Sequence, residues 1–250
     1  MEIIPLTLVG LVIFGASIIE SMTGFGSGII ALPFLAGIIG IKTAVPVIMV
    51  ISVVFTSYML LTSYKIIRWR VYVTIIFYVV LGLPFGIYIF SSFNENLLKT
   101  ILGSFIIVSA LRSIYLMKYP PEDKHSKAYA IFQRLMLIGG GVVQGAFATG
   151  GPLIVIYSAD KLKEKSEFRA TMSNVWLTLN TVLIIKNFIV GEIMTKNVFI
   201  IVAAAFPFFI AGTAIGFKLH NKVSKNTFNL AINSVLLIAG VSTIIWAIIK

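Results

Sequence analysis

Cysteine is absent from this chain, which excludes disulfide bridges, thiolate catalysis and cysteine-ligated metal. Histidine is nearly absent. His125 and His220 are the only two, both in basic loops, where a solvated side chain is expected rather than a metal ligand. Charge is scarce as well: 12% of residues carry one, about half the share of a soluble domain. The opening MEIIPLTLVG contains an acid and no lysine or arginine, so it lacks the basic n-region of a secretory signal peptide.

What fills the chain is apolar. Hydrophobic residues make up 58% of its 250 positions, and the mean hydropathy is +1.01. Runs of roughly 20 apolar residues recur almost end to end, each long enough to cross a ~30 Å hydrocarbon core. The composition predicts an all-α polytopic membrane protein whose main partner is the lipid bilayer. A β-barrel would show short alternating segments instead. The net charge of +11 does not point to nucleic acid, because the basic residues sit in short loops beside apolar segments, where they set membrane orientation.

The apolar stretches are 3–40, 43–64, 71–92, 97–117, 129–159, 168–190, 197–219 and 227–249. The first and fifth exceed one crossing, and glycine and polar residues interrupt both. The long polar stretch KYPPEDKHSKAY at 118–129 reads as a linker through its Pro120-Pro121 pair and mixed charges. It nearly bisects the chain, and features recur in order on its two sides. ESMTGFG at 20–26 matches QGAFATG at 144–150 at an offset of 124, which sets Glu20 on Gln144. Gly82 and Gly86 match Gly212 and Gly216 at an offset of 130. The expected organisation is one transmembrane domain of two repeats, 1–118 and 128–250, joined by the 118–128 linker.

Charge tests the topology. If all eight stretches crossed once, the 20 lysines and arginines would divide 11 to 9, almost without bias. If the first and fifth instead enter, turn at mid-membrane and leave on the same side, one side collects 15. These are Lys65, Arg68, Arg70, Arg112, Lys118, Lys124, Lys127, Arg134, Lys161, Lys163, Lys165, Arg169, Lys218, Lys222 and Lys225. The positive-inside rule favours this arrangement. It predicts a cytoplasmic linker, both termini outside and three full crossings per half, so that the two repeats are inverted.

ESMTGFGSG and QGAFATGGP are then the tips of two re-entrant hairpins. Irregular backbone at membrane depth is tolerated only where protein buries it or water reaches it. Glycine allows positive-φ turns, and Pro152 suits the first turn of a helix. Each tip should end in a half-helix N-terminus, from Ser27 and from Pro152, with free N–H groups and a positive dipole end aimed at the centre. Two such ends meeting at the midplane make an anion site. The candidate substrate contacts are Ser21, Thr23, Gly24, Gly26, Ser27 and Gly28 in the first half. In the second half they are Gln144, Thr149, Gly150, Gly151 and, on the following helix, Asn174. Close packing of helices is the competing explanation for these glycines, and it is the expected role of Gly82, Gly86, Gly212 and Gly216.

The pairing of G-x-G-x-G…P at 24–33 with Q-G-x-x-x-T-G-G-P at 144–152, in a chain this apolar, resembles the sulfite exporter TauE/SafE family (TSUP). The resemblance covers the whole chain and both repeats. It implies a transporter of small sulfur-containing anions or organic acids, such as sulfite, sulfonates, sulfolactate or sulfoacetate, in the cell membrane and without a cofactor.

Glu20 is the one acid deep in an apolar stretch. Such a group tends to be functional, and shielding from water favours its neutral form. It could carry a co-transported or gating proton, or sit hydrogen-bonded within the fold or at a watery vestibule. Its counterpart Gln144 cannot titrate. Arg169, in EFRATMSNVWLTLN, suits an oxyanion through its planar fork, or serves as a positive-inside or snorkelling residue. Asn174, Thr178 and Asn180 on the same segment either join helices or line a path. No G-x-x-x-x-G-K-[ST] loop is present, so ion, proton or substrate gradients would drive transport. A channel of the same architecture is the alternative. An enzyme is not expected, since the interior offers no histidine, cysteine or carboxylate pair. The sequence leaves the oligomeric state open.

The topology predicts that single cysteines in place of Lys124 and Lys222 react with a membrane-impermeant thiol reagent from the cytoplasmic side only. Labelling of either from outside contradicts it.

Overall fold

The computed structural model describes residues 3–24, 26–119, 126–190, 194–219 and 225–249. Both histidines, Phe25, most of the linker, Lys124 and Lys222 lie outside the described residues. Within them the chain is almost wholly helical and contains no strand. The helices are α1 Ile3–Thr23, α2 Ser27–Ile39, α3 Ile41–Ser63, α4 Trp69–Ser92, α5 Glu95–Lys118, α6 Lys127–Phe147, α7 Gly151–Lys161, α8 Lys165–Val190, α9 Lys196–Leu219 and α10 Lys225–Ile249.

Each expected stretch appears as a helix, and the two over-long ones each break where glycine and polar residues interrupt them. The second half-helix begins at Gly151, one residue before Pro152. Asn94 caps α5 by accepting the Leu97 N–H at 2.9 Å. Ser126 caps α6 through the Tyr129 N–H at 3.0 Å, where side-chain oxygens of this kind satisfy an orphan donor. Pro46 does not start a helix: α3 begins at Ile41 and runs through it.

Among the described residues, six helices are long and apolar enough to cross a membrane: α1, α3, α4, α5, α6 and α9. The hairpin arms are therefore unequal. α1 and α6 have 21 residues each, roughly 31 Å at 1.5 Å per residue, whereas α2 and α7 have 13 and 11. An arm of that length ending at mid-depth must tilt or project beyond the apolar layer. α8 is 26 residues long but interrupts its apolar positions with Asn174, Thr178, Asn180 and Asn187.

Helix packing follows small residues. α1 lies along α9 in parallel, Phe14 beside Gly212 and Ile18 beside Gly216. α6 lies along α4 in the same sense, with Val142 between Gly82 and Gly86 and with Gly145 against Leu83. α3 and α8 run antiparallel: Asn187 near the end of α8 approaches Met49 near the start of α3, while the Arg68 N–H after α3 donates to Thr171 Oγ1 at 3.0 Å. α5 and α10 are antiparallel too, joined by Asn233 to Ser113 at 3.0 Å and by Gly103 against Gly240. Exchanging the first five helices for the last five carries α1–α9 onto α6–α4 and α3–α9 onto α8–α4, and leaves α3–α8 and α5–α10 as self-pairs. Outward faces remain apolar, as on α4 with Val73, Phe77, Leu81, Phe85 and Tyr88, the surface a lipid-facing helix presents.

The role expected of Gly82, Gly86, Gly212 and Gly216 is the one they fill. A Cβ on Gly86 would overlap the Val142 carbonyl and come within 2.7 Å of the Ala146 nitrogen, and one on Gly216 would overlap the Ile18 carbonyl. Backbone cannot yield as a side chain does. Gly86→Val should lower the thermal midpoint of the purified protein by the equivalent of about 1–3 kcal/mol or more. Gly15→Ala, where nothing lies within 4 Å, should leave it unchanged or slightly raised.

Candidate functional site

The two tips close alike. Gly24 has φ 80 and Ala148 has φ 54, both left-handed, and the two positions are equivalent at the offset of 124. Each ends its helix with an N–H to the carbonyl four residues back, Gly24 to Glu20 at 2.6 Å and Ala148 to Gln144 at 2.8 Å. Beyond this the tips diverge. Gly26 is again left-handed, at φ 106, whereas Gly150 has φ −65. Positive φ therefore does not account for the glycine at 150. Space does: a Cβ there would overlap the Gly140 carbonyl.

Gln144 is buried and spans the second tip. Its Oε1 accepts the Gly150 N–H at 3.0 Å, and its Nε2 donates to Asn180 Oδ1 at 2.8 Å. In the first tip Glu20 holds that position. Ser52 Oγ donates to its Oε1 at 3.5 Å, a long contact, and Oε2 is buried without a partner. Ser52 and Asn180 lie near the midpoints of α3 and α8, so both tips sit level with the middle of these helices.

The tips touch. A Cβ on Gly28 would stand 3.1 Å from the Ala148 carbonyl oxygen and 3.4 Å from Thr149 Cβ. Between them lies a small cleft. Its walls are Glu20, Gly26, Ser27, Gly28 and Ile29 from the first tip and Gln144, Ala148, Thr149 and Gly151 from the second. Ile48 and Ser52 of α3 and Trp176 and Asn180 of α8 complete it. The N-termini of α2 and α7 open into it, and their first-turn N–H groups have no carbonyl within the helix to meet. Three further buried polar atoms on these walls have no partner: Thr149 Oγ1, Trp176 Nε1 and Glu20 Oε2. Buried polar groups are nearly always paired in folded proteins, so three orphans around one cleft mark a place for a polar guest.

Of the residues expected to hold substrate, Gly26, Ser27, Gly28, Gln144, Thr149 and Gly151 line the cleft, and so does Glu20. Ser21, Thr23, Gly24, Gly150, Asn174 and Arg169 are not among its walls. The Ser21 and Thr23 hydroxyls turn back onto their own helix, to the carbonyls of Ser17 and Ile19, both at 2.8 Å. Gly24 instead gives α8 room, since a Cβ on it would come within 2.7 Å of the Arg169 Cα. Arg169 Nη1 donates to the Ser21 carbonyl at 3.3 Å, at the end of α1, where a cation suits the helix dipole. Ser52, Ala148 and Trp176 were missed as wall residues. Asn180, expected to join helices or line a path, is a wall residue, and Ser52 could have been found in the same way, as a polar residue midway along an apolar helix. Trp176, one turn before Asn180, gave no signal of its own.

A sequence profile named for the sulfite exporter TauE/SafE matches residues 9–243. The chain belongs to this family. The match takes in both tips and all ten helices in whole or part. Among curated proteins and among solved structures no match is found. For a family of anion exporters the chemistry of the cleft is apt: it offers N–H and O–H donors from four helices, and no lysine or arginine on its walls would hold an anion too tightly to release.

Proposed function

We propose that the protein is a secondary transporter that moves a small sulfur-containing oxyanion, such as sulfite or a sulfonate, across the cytoplasmic membrane by alternating access. The anion is held between the two tips. The convergence of both half-helix N-termini and three unpartnered polar atoms on one mid-height cleft carries this reading. The two halves are inverted repeats: the equivalent helices α3 and α8 run antiparallel, as do α5 and α10, which supports an axis in the membrane plane rather than along its normal. The charge count supports a cytoplasmic linker and both termini outside. Rocking of one half against the other would expose the cleft to each side in turn, with the smooth α1–α9 and α4–α6 glycine seams as sliding surfaces.

Glu20 gives the site its asymmetry. An anion beside an ionised carboxylate is repelled, so Glu20 must be neutral when the anion is bound. A proton is coupled to the cycle when that carboxyl ionises after the anion has left, and Gln144 in the other tip, permanently neutral, does not titrate with it.

Purified protein in proteoliposomes should take up labelled sulfite saturably and show counterflow. Sulfonates should compete better than carboxylates. A proton gradient, acid on the side of uptake, should accelerate transport, and Glu20→Gln should remove that acceleration while the protein stays folded. Uptake that never saturates would identify a channel. A pH response unchanged in Glu20→Gln would remove the proton role.

A further inference from the structure

Arg169, Ser173, Trp176 and Asn180 follow one another on α8 at spacings of four, three and four, and so share one face of the helix. The stripe starts in the cleft, where Trp176 and Asn180 form part of the wall. It runs toward the beginning of α8, where Glu167 pairs with Arg68 of the basic loop between α3 and α4. Three of its four members carry a buried polar atom without a partner: Trp176 Nε1, Ser173 Oγ and Arg169 Nε. Ser173 is wholly buried, so its hydroxyl meets no water there.

Arg169 is a half-buried cation with no counter-ion among the described residues: neither ion pair there includes it. Its guanidinium lies 5.5 Å over the Phe217 ring, and among the described residues its one side-chain hydrogen bond is the 3.3 Å contact to the Ser21 carbonyl. Phe217 in turn stacks against Phe55 at 6.2 Å and meets Tyr58 at 5.9 Å, which walls the group with rings rather than carboxylates. A guanidinium drawn out of water without an acid is costly to keep. Its planar fork and spare Nε–H match an oxyanion.

We propose that Arg169 and Ser173 form a second oxyanion station on the basic-loop side of the cleft, reached from it along the α8 stripe past Trp176. This rests on the transport reading above. The central cleft holds its guest with neutral donors, and a second station one helical turn further gives the anion a place to leave to. Conduction through several moderate sites in series is faster than through one deep one.

The test measures half-saturation for sulfite separately from each face, by influx and efflux in vesicles of known orientation. Arg169→Gln should raise it roughly tenfold from the basic-loop face, the scale of one charge-assisted hydrogen bond, and less than about twofold from the opposite face. Arg169→Lys should keep part of the loss from appearing. Ser173→Ala removes a hydroxyl that has no partner, so the fold should survive; it should shift the same face severalfold, and it decides the matter if Arg169→Gln fails to fold. Equal shifts on both faces for Arg169→Gln with no effect of Ser173→Ala would mean that Arg169 only secures the end of α1, and would overturn the second station. Loss of transport in Thr149→Val with both stripe variants unchanged would retain the central cleft and overturn the station alone. A wild-type protein that moves no oxyanion in either direction would overturn both.

Discussion

A backbone N–H at the broken end of a buried helix has no carbonyl of its own helix to bond, and that constraint orders the rest of this structure. Two helices stop at Thr23 and Phe147, and two others start close by, at Ser27 and Gly151. Each stop leaves donors that must be met by protein or by a guest. Gln144 meets one of them, the Gly150 N–H. Glu20, at the equivalent place, has its Oε2 unpartnered. Of the six buried side-chain polar atoms without a partner among the described residues, Glu20 Oε2, Thr149 Oγ1 and Trp176 Nε1 belong to residues that line one cleft, and Ser173 Oγ and Arg169 Nε to the α8 stripe beside it.

The surrounding helices make that arrangement possible. Gly82, Gly86, Gly212 and Gly216 let the long arms α6 and α1 lie directly on the backbones of α4 and α9. This brings the tips against α3 and α8 instead of against lipid. The left-handed residues at the two tips show how a common design tolerates different residues. Gly24 takes the conformation freely. Ala148 takes it at a cost of roughly 1–2 kcal/mol, held by the Gln144 carbonyl behind it and by the first tip packed in front.

Much of this was legible in the residue pattern. Polar and glycine residues inside two over-long apolar runs located both breaks to within a residue, and the repeated G-x-x-x-G spacing located the seams. The self-pairs α3–α8 and α5–α10 run antiparallel, the observation on which the proposed inversion rests. Contacts between distant segments were not legible. Nothing in EFRATMSNVWLTLN says that Arg169 reaches the carbonyl of Ser21, or that Trp176 lines the cleft. The unequal arms were hidden for a related reason: a continuous apolar run does not reveal that α1 and α6 extend well beyond half a membrane before the tip.

The central claim is that the two tips share one anion between them. Selenite has the shape and charge of sulfite, and selenium scatters anomalously. The direct measurement is therefore an anomalous difference map from crystals of the protein grown with selenite. The account predicts a selenium peak in the cleft, within hydrogen-bonding reach of the α2 N-terminus, Thr149 and Trp176. A peak elsewhere, or no peak at a concentration that inhibits transport, would contradict it.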